Sequence, residues 1–302
     1  MGYNETFLTA MDKVWTLGRR ETAPLWGTVV EVQEKYDGSQ ISWARVNGKL
    51  HVRSRRQHIN VDSPPTLFAP AVAHLKSIEK NLRPNCIYRG EAFQKKKHNT
   101  LMYDRLPLGN IVLFSATSRA VGELTSVQLE QEAKILKIEP VQVINHRFKL
   151  TRSTDELNHL LGTFSSLGGT LVEGVVFRGV DENNQPIMAK YVSDQFKEKH
   201  KANMDWKMGK DLITALAEQY RTEARWLKVV NRYQETGNWL GDPKDIGPMM
   251  KLLNEEFEDE VAAELQAELW KHARKICIKV LGKGFAEWYK NELKEMTDAS
   301  DG

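Results

Sequence analysis

Residues 27–46 read GTVVEVQEKYDGSQISWARV, and this stretch predicts two β-strands joined by a tight turn. Apolar side chains dominate Gly27–Val32, and they alternate with polar ones through Gln40–Val46. The Asp37-Gly38 pair between them is typical of turns, because glycine adopts backbone conformations that are closed to other residues. The stretch predicts a sheet of short strands punctuated by turns.

Lys35 stands where the first of these strands meets the turn. A lysine there is fixed on a rigid backbone, and Gly38 lets the chain approach a bulky charged ligand closely. A lysine that attacks a nucleoside triphosphate to form a phosphoramide needs this setting. The alternative is a simple β-turn beside a solvated lysine, since Lys-x-Asp-Gly arises by chance in roughly one chain of this size in ten to twenty.

The composition indicates a globular protein. A chain of 302 residues is long enough for one large or two modest domains with a buried core. It has neither an apolar run of the ~20 residues needed to span a bilayer nor the start of a signal peptide. Cys86 and Cys277 lie far apart and match no metal-binding spacing, so we expect reduced thiols in a cytoplasmic protein without a membrane partner.

Charge is distributed unevenly along the chain. Residues 206–302 carry 15 basic and 18 acidic side chains, whereas residues 1–205 carry 28 basic and 22 acidic ones. The basic part also contains Lys35, which suits a polyanionic substrate. A chance imbalance on a solvated surface explains so small an excess equally well.

Two parts of the chain differ in hydrophobic periodicity. The first part alternates short strands with a few helices. The predicted strands are Gly27–Val32, Gln40–Val46, Lys49–Arg53, Asn85–Phe93, Asn110–Ala116, Gly169–Arg178 and Pro186–Val192. The predicted helices are Thr66–Leu82, Val127–Leu136 and Ser153–Leu161.

After about Trp206 the pattern becomes helical. Apolar residues recur at helical spacing in Asp211–Gln234, in a helix opened by Pro248, in Leu265–Val280 and in Phe285–Met296. We therefore expect an α+β domain at residues 1–205, built on antiparallel sheet, and a small all-α domain at residues 206–302.

Three motifs after Lys35 offer groups that suit a nucleotide. Arg55, in Ser54-Arg55-Arg56, is placed to contact a phosphate. Glu91 follows Gly90 at a strand end, where it can accept a hydrogen bond from a ribose hydroxyl. Phe114 can stack on a purine, which is worth roughly 1–3 kcal/mol. Each residue also has a simpler interpretation: Arg55 as part of a solvated hairpin end, Glu91 as a strand-end charge facing solvent, and Phe114 as a core side chain.

The fourth motif is a pair of strands, residues 173–178 and 187–192. Glu173 heads a buried strand, which is costly unless its carboxylate binds a cation or pairs. It can hold a divalent metal, while Lys190 can neutralise an α-phosphate. The alternative is a β-hairpin with charged ends.

Taken in order, these motifs resemble those of the covalent nucleotidyltransferases, the superfamily of polynucleotide ligases and mRNA capping enzymes. The resemblance covers roughly residues 25–200. The helical residues after Lys201, in place of an OB-fold barrel, and the run Phe196-Lys197-Glu198-Lys199 are similar to RNA ligases of the phage T4 RNA ligase 2 group. That resemblance implies an adenylyltransferase domain followed by a helical domain.

The resemblance also implies roles for individual residues. Lys35 would take AMP from ATP as nucleophile, and Lys190 and Arg55 would act on substrate phosphates. In the nucleotide site, Glu34 would frame the adenine and Phe114 would stack on it. Glu91 would hold the ribose, and Glu173 would bind Mg²⁺ or Mn²⁺.

One position departs from the family pattern. The last motif usually offers two lysines, and the second falls here on Val192. Lys197, Lys199 or Lys201 are candidates to supply the missing charge, or the site works with one lysine. A second positive charge near Lys35, from Lys190 or a metal, favours the neutral amine that a nucleophile requires.

The implied function is ATP-dependent RNA ligation at nicks that carry 5′-phosphate and 3′-hydroxyl ends, in RNA repair. The sequence has no recognisable kinase or phosphatase segment, so end healing would fall to a separate partner, and a phage or bacterial source and a monomer are expected. The alternatives are a DNA ligase, a GTP-using capping enzyme and a non-catalytic nucleic-acid-binding module. Lys95-Lys96-Lys97-His98 either contacts a nucleic-acid backbone or forms a solvated loop.

Overall fold

The computed structural model describes residues 8–193 and 212–298. The chain divides into two compact units. The first unit comprises Met1–Lys197 together with Val230–Asp242, and the second comprises Glu198–Val229 together with Pro243–Gly302. The predicted boundary between residues 205 and 206 lies outside the described residues and stays a prediction.

The first unit contains two sheets of mostly antiparallel strands. The five-stranded sheet has the order β1-β12-β11-β2-β10, and the seven-stranded sheet has the order β5-β4-β3-β6-β7-β8 with β9 beside β7. The first sheet is made of β1 (Trp15–Thr16), β2 (Val29–Lys35), β10 (Val143–Lys149), β11 (Gly174–Val180) and β12 (Pro186–Val192). The second is made of β3 (Ser39–Val46), β4 (Lys49–Ser54), β5 (His58–Ile59), β6 (Cys86–Ala92), β7 (Ile111–Ser118), β8 (Gly122–Glu123) and β9 (Glu139–Pro140).

The turn after Lys35 joins the two sheets. Strand β2 pairs with β10 and β11, whereas β3 pairs with β4 and β6. The two strands around Asp37-Gly38 are therefore not partners in a hairpin. Their separation places Lys35 where the chain leaves one sheet and enters the other.

Three helices accompany these sheets, α1 (Ala69–Ser77), α2 (Ser126–Leu136) and α3 (Thr154–Leu161). Their buried side chains belong to two apolar cores: those of α1 and α2 join the core of the second sheet, and those of α3 join the core of the first. The helix start predicted at Ser153 is confirmed, because its hydroxyl accepts a hydrogen bond from the Glu156 amide.

The remaining helices are α4 (Leu212–Glu218), α5 (Glu223–Glu235), α6 (Ile246–Glu260), α7 (Ala262–Leu281) and α8 (Phe285–Asp298). The single helical segment expected at Asp211–Gln234 is two helices, since Thr222 accepts a hydrogen bond from the Arg225 amide and starts a new one. The last six residues of α5 fall in the first unit. The predicted α+β class with a helical C-terminal part is confirmed.

Within the described residues, no helix combines the length and the apolar character needed to cross a bilayer.

Candidate nucleotidyl-transfer site

Lys35 and Glu173 form an ion pair at the end of the first sheet. Strand β2 ends at Lys35, which lies opposite Gly174 of β11, and Glu173 immediately precedes Gly174. The pairing of these strands brings the two side chains together, and the Lys35 Nζ atom lies 2.6 Å from both Oε1 and Oε2 of Glu173. Sequence reasoning gave both residues a role in one site, and the register of β2 with β11 explains why they meet.

Lys190 lies on the same face of this sheet as Lys35. Lys35 is in register with Gly174 and Val192, and Lys190 is in register with Val176, two residues further along β11. Because side chains alternate between the faces of a strand, residues two apart share a face. Burial raises the pKa of Glu173 overall, and the positive charges of Lys35 and, to a smaller extent, Lys190 oppose that rise, as expected for cations on that face.

Val192 occupies the register position nearest to Lys35 on β12, with only Gly174 between them. A lysine at position 192 would therefore lie two strands away from Lys35 on the same face, about 10 Å by strand spacing. The three candidates to replace it, Lys197, Lys199 and Lys201, lie outside the described residues.

Glu91 approaches the turn from the second sheet. It lies on β6 opposite Gln40 of β3, near the point where β3 begins. A Cβ atom on Gly38 would come within 2.7 Å of the Glu91 Cγ atom and within 2.8 Å of the Ala92 carbonyl oxygen. Gly38 is thus needed because β6 packs directly against the turn, and this packing brings Glu91 toward Lys35.

The charges of the site act on one another. Burial alone lowers the pKa of Lys35, but the carboxylates of Glu173, Glu91 and Asp37 outweigh it, and the net shift is upward. Burial raises the pKa of Glu91 to about 8, with Glu173 and Asp37 adding to the rise and Lys35 opposing it. The arrangement therefore holds Lys35 as a protonated ammonium, and a neutral amine requires that positive charge be added beside these carboxylates.

Phe114 lies at a β-bulge in β7. Arg89 of β6 is opposite Ser115, but the next residue, Gly90, is opposite Leu113, so Phe114 has no partner across the ladder. Bulges re-aim side chains near functional sites. Phe114 is half-buried against the main core, whereas Leu113 is fully buried. The sequence gave no signal for the bulge.

Arg178 fixes this bulge, a role that sequence reasoning missed. Its Nη1 atom donates a hydrogen bond to the Phe114 carbonyl oxygen at 2.8 Å, and its Nη2 atom pairs with Glu123. Ser115 donates to the same Glu123 carboxylate at 2.9 Å. Because Arg178 lies on β11 and Phe114 on β7, this contact ties the two sheets together beside the site.

The Glu34 side chain is hydrogen-bonded to a loop of the protein. Its carboxylate accepts hydrogen bonds from the Ser165 hydroxyl and from the Ser166 amide, the latter at 3.0 Å. Burial raises the pKa of Glu34 despite these bonds. Tyr36 binds the same turn, with its hydroxyl 2.7 Å from the Ser166 hydroxyl. Residues 165–166 were not singled out in the sequence, and they anchor both neighbours of Lys35.

Arg55 lies at the site end of the second sheet but faces another group. It is exposed in the turn after β4, whose last residue, Ser54, is opposite Ile41 near the start of β3. Burial raises the pKa of Glu235, and the positive charges of Arg56 and Arg55 oppose that rise. Gln57 donates to the Glu235 carbonyl oxygen at 2.7 Å, so the end of α5 covers this turn.

The site thus has a strand-end lysine, Lys35, paired with Glu173 beside the junction of two sheets of mostly antiparallel strands. A sequence profile described as RNA ligase matches residues 28–192, more than half of the chain. The chain belongs to the RNA ligase family. No curated protein sequence matches it.

Solved structures with a similar fold include the RNA ligase of Naegleria gruberi with pyrophosphate, at 16% identity and a TM-score of 0.50. That match covers 63% of this chain and 57% of the Naegleria chain. A variant of the same ligase with ATP and Mn matches at 17% identity and a TM-score of 0.49, covering 63% and 58% of the two chains. The chain thus spans less than two thirds of these proteins, and the likeness concerns the fold. The narrower grouping with phage T4 RNA ligase 2 stays a prediction.

Proposed function

We propose that this protein is an ATP-dependent RNA ligase whose nucleophile is Lys35. The observation that carries the proposal is the contact of the Lys35 amine with both oxygens of Glu173, on the sheet face that also bears Lys190. Membership in the RNA ligase family supports it.

The reaction has three steps. The neutral Lys35 amine attacks the α-phosphorus of ATP, so that a P–N bond forms and the bond to pyrophosphate breaks. The AMP then passes to the 5′-phosphate of an RNA end, which releases Lys35. Finally, a 3′-hydroxyl attacks the activated 5′-phosphate, which forms the phosphodiester and expels AMP. Positioning and charge neutralisation dominate such phosphoryl transfers.

The residues of the site divide this work. Lys190 neutralises charge on the α-phosphate, Glu91 accepts a hydrogen bond from the ribose, and Phe114 stacks on the adenine. Glu34 frames the adenine side from β2, where Ser165 and Ser166 hold it. Arg55 acts on the RNA phosphate in the later steps.

The carboxylates fit a divalent cation. Within residues 8–193 and 212–298, no three His, Cys, Asp or Glu side chains form a group that could hold a metal alone. Mg²⁺ commonly needs only one or two carboxylates, with substrate phosphates and waters completing its shell. Glu173, with Glu91 beside it, meets that requirement. A bound Mg²⁺ or Mn²⁺ supplies the positive charge that offsets these carboxylates and so favours neutral Lys35.

We further propose nicked RNA duplex as the substrate and RNA repair in the cytoplasm as the setting, with the protein acting as a monomer and a separate kinase or phosphatase preparing the ends. The test is a sealing panel of nicked RNA, DNA and hybrid duplexes, each supplied with ATP or GTP. We expect sealing with ATP where RNA forms the nick. Sealing of DNA alone identifies a DNA ligase, and labelling by GTP alone identifies a capping enzyme. If no nucleotide becomes covalently attached to the protein, the result favours the alternative of a non-catalytic nucleic-acid-binding module.

A further inference from the structure

A lysine-rich loop follows β6 beside the site. Lys95, Lys96 and Lys97 are exposed, and no carboxylate occurs in the sequence between Glu91 and Asp104. Within the described part of the chain, none of these three amines forms an ion pair. The loop therefore presents three adjacent positive charges to solvent.

This loop is fastened to the turn that follows Lys35. Consecutive residues of the loop contact consecutive residues of the turn. The His98 Nε2 atom lies 3.0 Å from the Ser39 hydroxyl, and the Asn99 side chain donates a hydrogen bond to the Gly38 carbonyl oxygen at 2.7 Å. The Thr100 and Leu101 amides each donate to Asp37 Oδ2 at 2.7 Å. These bonds hold the lysines at a fixed position relative to the proposed nucleophile.

His98 acts as the anchor of the loop and not as a fourth cation. The Gln94 amide donates to its Nδ1 atom at 2.9 Å, so the neutral ring carries its proton on Nε2 and donates to Ser39. Burial lowers the pKa of His98 to about 4, which keeps the ring neutral at pH 7. His98 is buried, whereas the three lysines directly before it are exposed to solvent.

We propose that Lys95, Lys96 and Lys97 form a docking element for the phosphodiester backbone of the RNA end that receives AMP from Lys35. The proposal rests on the function proposed above, because an RNA end must reach Lys35 for transfer to occur. Three successive ammonium groups complement successive backbone phosphates without reading base sequence. The contacts at Ser39, Gly38 and Asp37 place this binding surface beside the nucleophile turn.

The test compares a triple variant, Lys95→Ala, Lys96→Ala and Lys97→Ala, with a charge-matched control, Lys49→Ala, Lys80→Ala and Lys134→Ala. These control lysines are also exposed. Binding of a nicked RNA duplex is measured over a range of salt concentrations. Since each phosphate contact contributes about −0.7 to −0.9 to the slope of log affinity against log salt, we expect the loop variant to lose about 2 to 3 from this slope. We expect the control to keep the wild-type slope.

Two further measurements make the outcome decisive. A variant with arginines at the three loop positions retains the charge, and we expect it to restore the slope. Adenylylation by ATP without RNA, measured in parallel, reports on the function proposed for Lys35 independently of RNA binding. A wild-type slope in the alanine variant overturns the docking proposal. So does a loss of RNA binding matched by an equal loss of adenylylation, since that outcome indicates structural damage.

Discussion

The Lys35 amine lies 2.6 Å from each carboxylate oxygen of Glu173, across the pairing of β2 with β11. This contact explains how the site keeps a half-buried lysine charged: Glu173 is the largest of the influences that raise the pKa of Lys35 against the effect of burial. The same carboxylate is the proposed metal ligand. Glu173 therefore favours the protonated form of Lys35 when the two side chains pair, and we expect it to favour the neutral form when its carboxylate binds a metal instead.

Replacing Glu173 by glutamine tests this dual role. Glu173→Gln removes the negative charge and retains the size of the side chain, so we expect lysine adenylylation to fall on the order of 100-fold at saturating ATP, a loss typical of one electrostatic group. The measurement is the rate of transfer of labelled AMP to the protein. Glu130→Gln, on the exposed surface of α2, is the matched control. Equal rates in the two variants contradict a role for Glu173 in the transfer.

Glu91 predicts how stability depends on pH. An unfolded glutamate titrates near 4.3, whereas burial raises the pKa of Glu91 to about 8 in the folded protein. Between these values the folded state binds more protons, so this contribution to stability is full below about pH 4 and is lost as the pH rises through about 8.

We therefore expect Glu91→Gln to unfold with a weaker pH dependence than the wild type. Urea unfolding at intervals from pH 5 to pH 9 gives the free energy of unfolding for both proteins. The difference should move in favour of the variant as the pH increases. Parallel curves over this range would show that Glu91 titrates normally.

Gly38→Ala probes the packing of β6 against the turn. The added Cβ atom would lie 2.7 Å from the Glu91 Cγ atom and 2.8 Å from the Ala92 carbonyl oxygen, so the turn and strand must separate. Overpacking of this kind costs about 1–3 kcal/mol of stability, and we expect adenylylation to fall with it. Gly247→Ala is the control, because a Cβ atom there meets nothing within 4 Å. Urea unfolding that finds the two variants equally stable is inconsistent with the close approach.

Phe114 is expected to set the affinity for ATP. Loss of one base–aromatic stack costs about 1–3 kcal/mol, so Phe114→Ala should raise the KM for ATP in adenylylation roughly 5- to 150-fold. Phe114→Tyr keeps the ring and should remain near the wild type. If Phe114→Leu, which retains apolar bulk without a ring, also shows the wild-type KM, Phe114 is a core residue and does not stack on adenine.

The sequence predicted strands at Gly27–Val32, Asn85–Phe93 and Gly169–Arg178, close to β2, β6 and β11, because short apolar runs that end at charged residues can be recognised in the sequence. The prediction ended the first strand at Val32, whereas β2 continues to Lys35. The sequence did not predict β10, whose side chains at Asn145, His146 and Arg147 are exposed and polar. It also missed the bulge at Phe114, which arises from the register of β6 with β7 and is a tertiary property.

The anchors of the site were hidden for a similar reason. Ser165 and Ser166 lie more than 120 residues from the glutamate and tyrosine that they bind, and serines in a loop carry no distinctive pattern. That a second positive charge, from Lys190 or a metal, favours the neutral Lys35 amine stays a prediction. In the protein alone, Glu173, Glu91 and Asp37 together raise the pKa of Lys35 by more than burial lowers it.

The most direct test of the central claim is to incubate the protein with ATP and Mg²⁺, digest it and locate the attached AMP by mass spectrometry. We predict one AMP on the peptide that contains Lys35, joined by an acid-labile P–N bond. Lys35→Ala should carry none, and Lys49→Ala, at the exposed β3–β4 turn, should match the wild type. AMP on another residue, or covalent labelling retained in Lys35→Ala, would contradict the account.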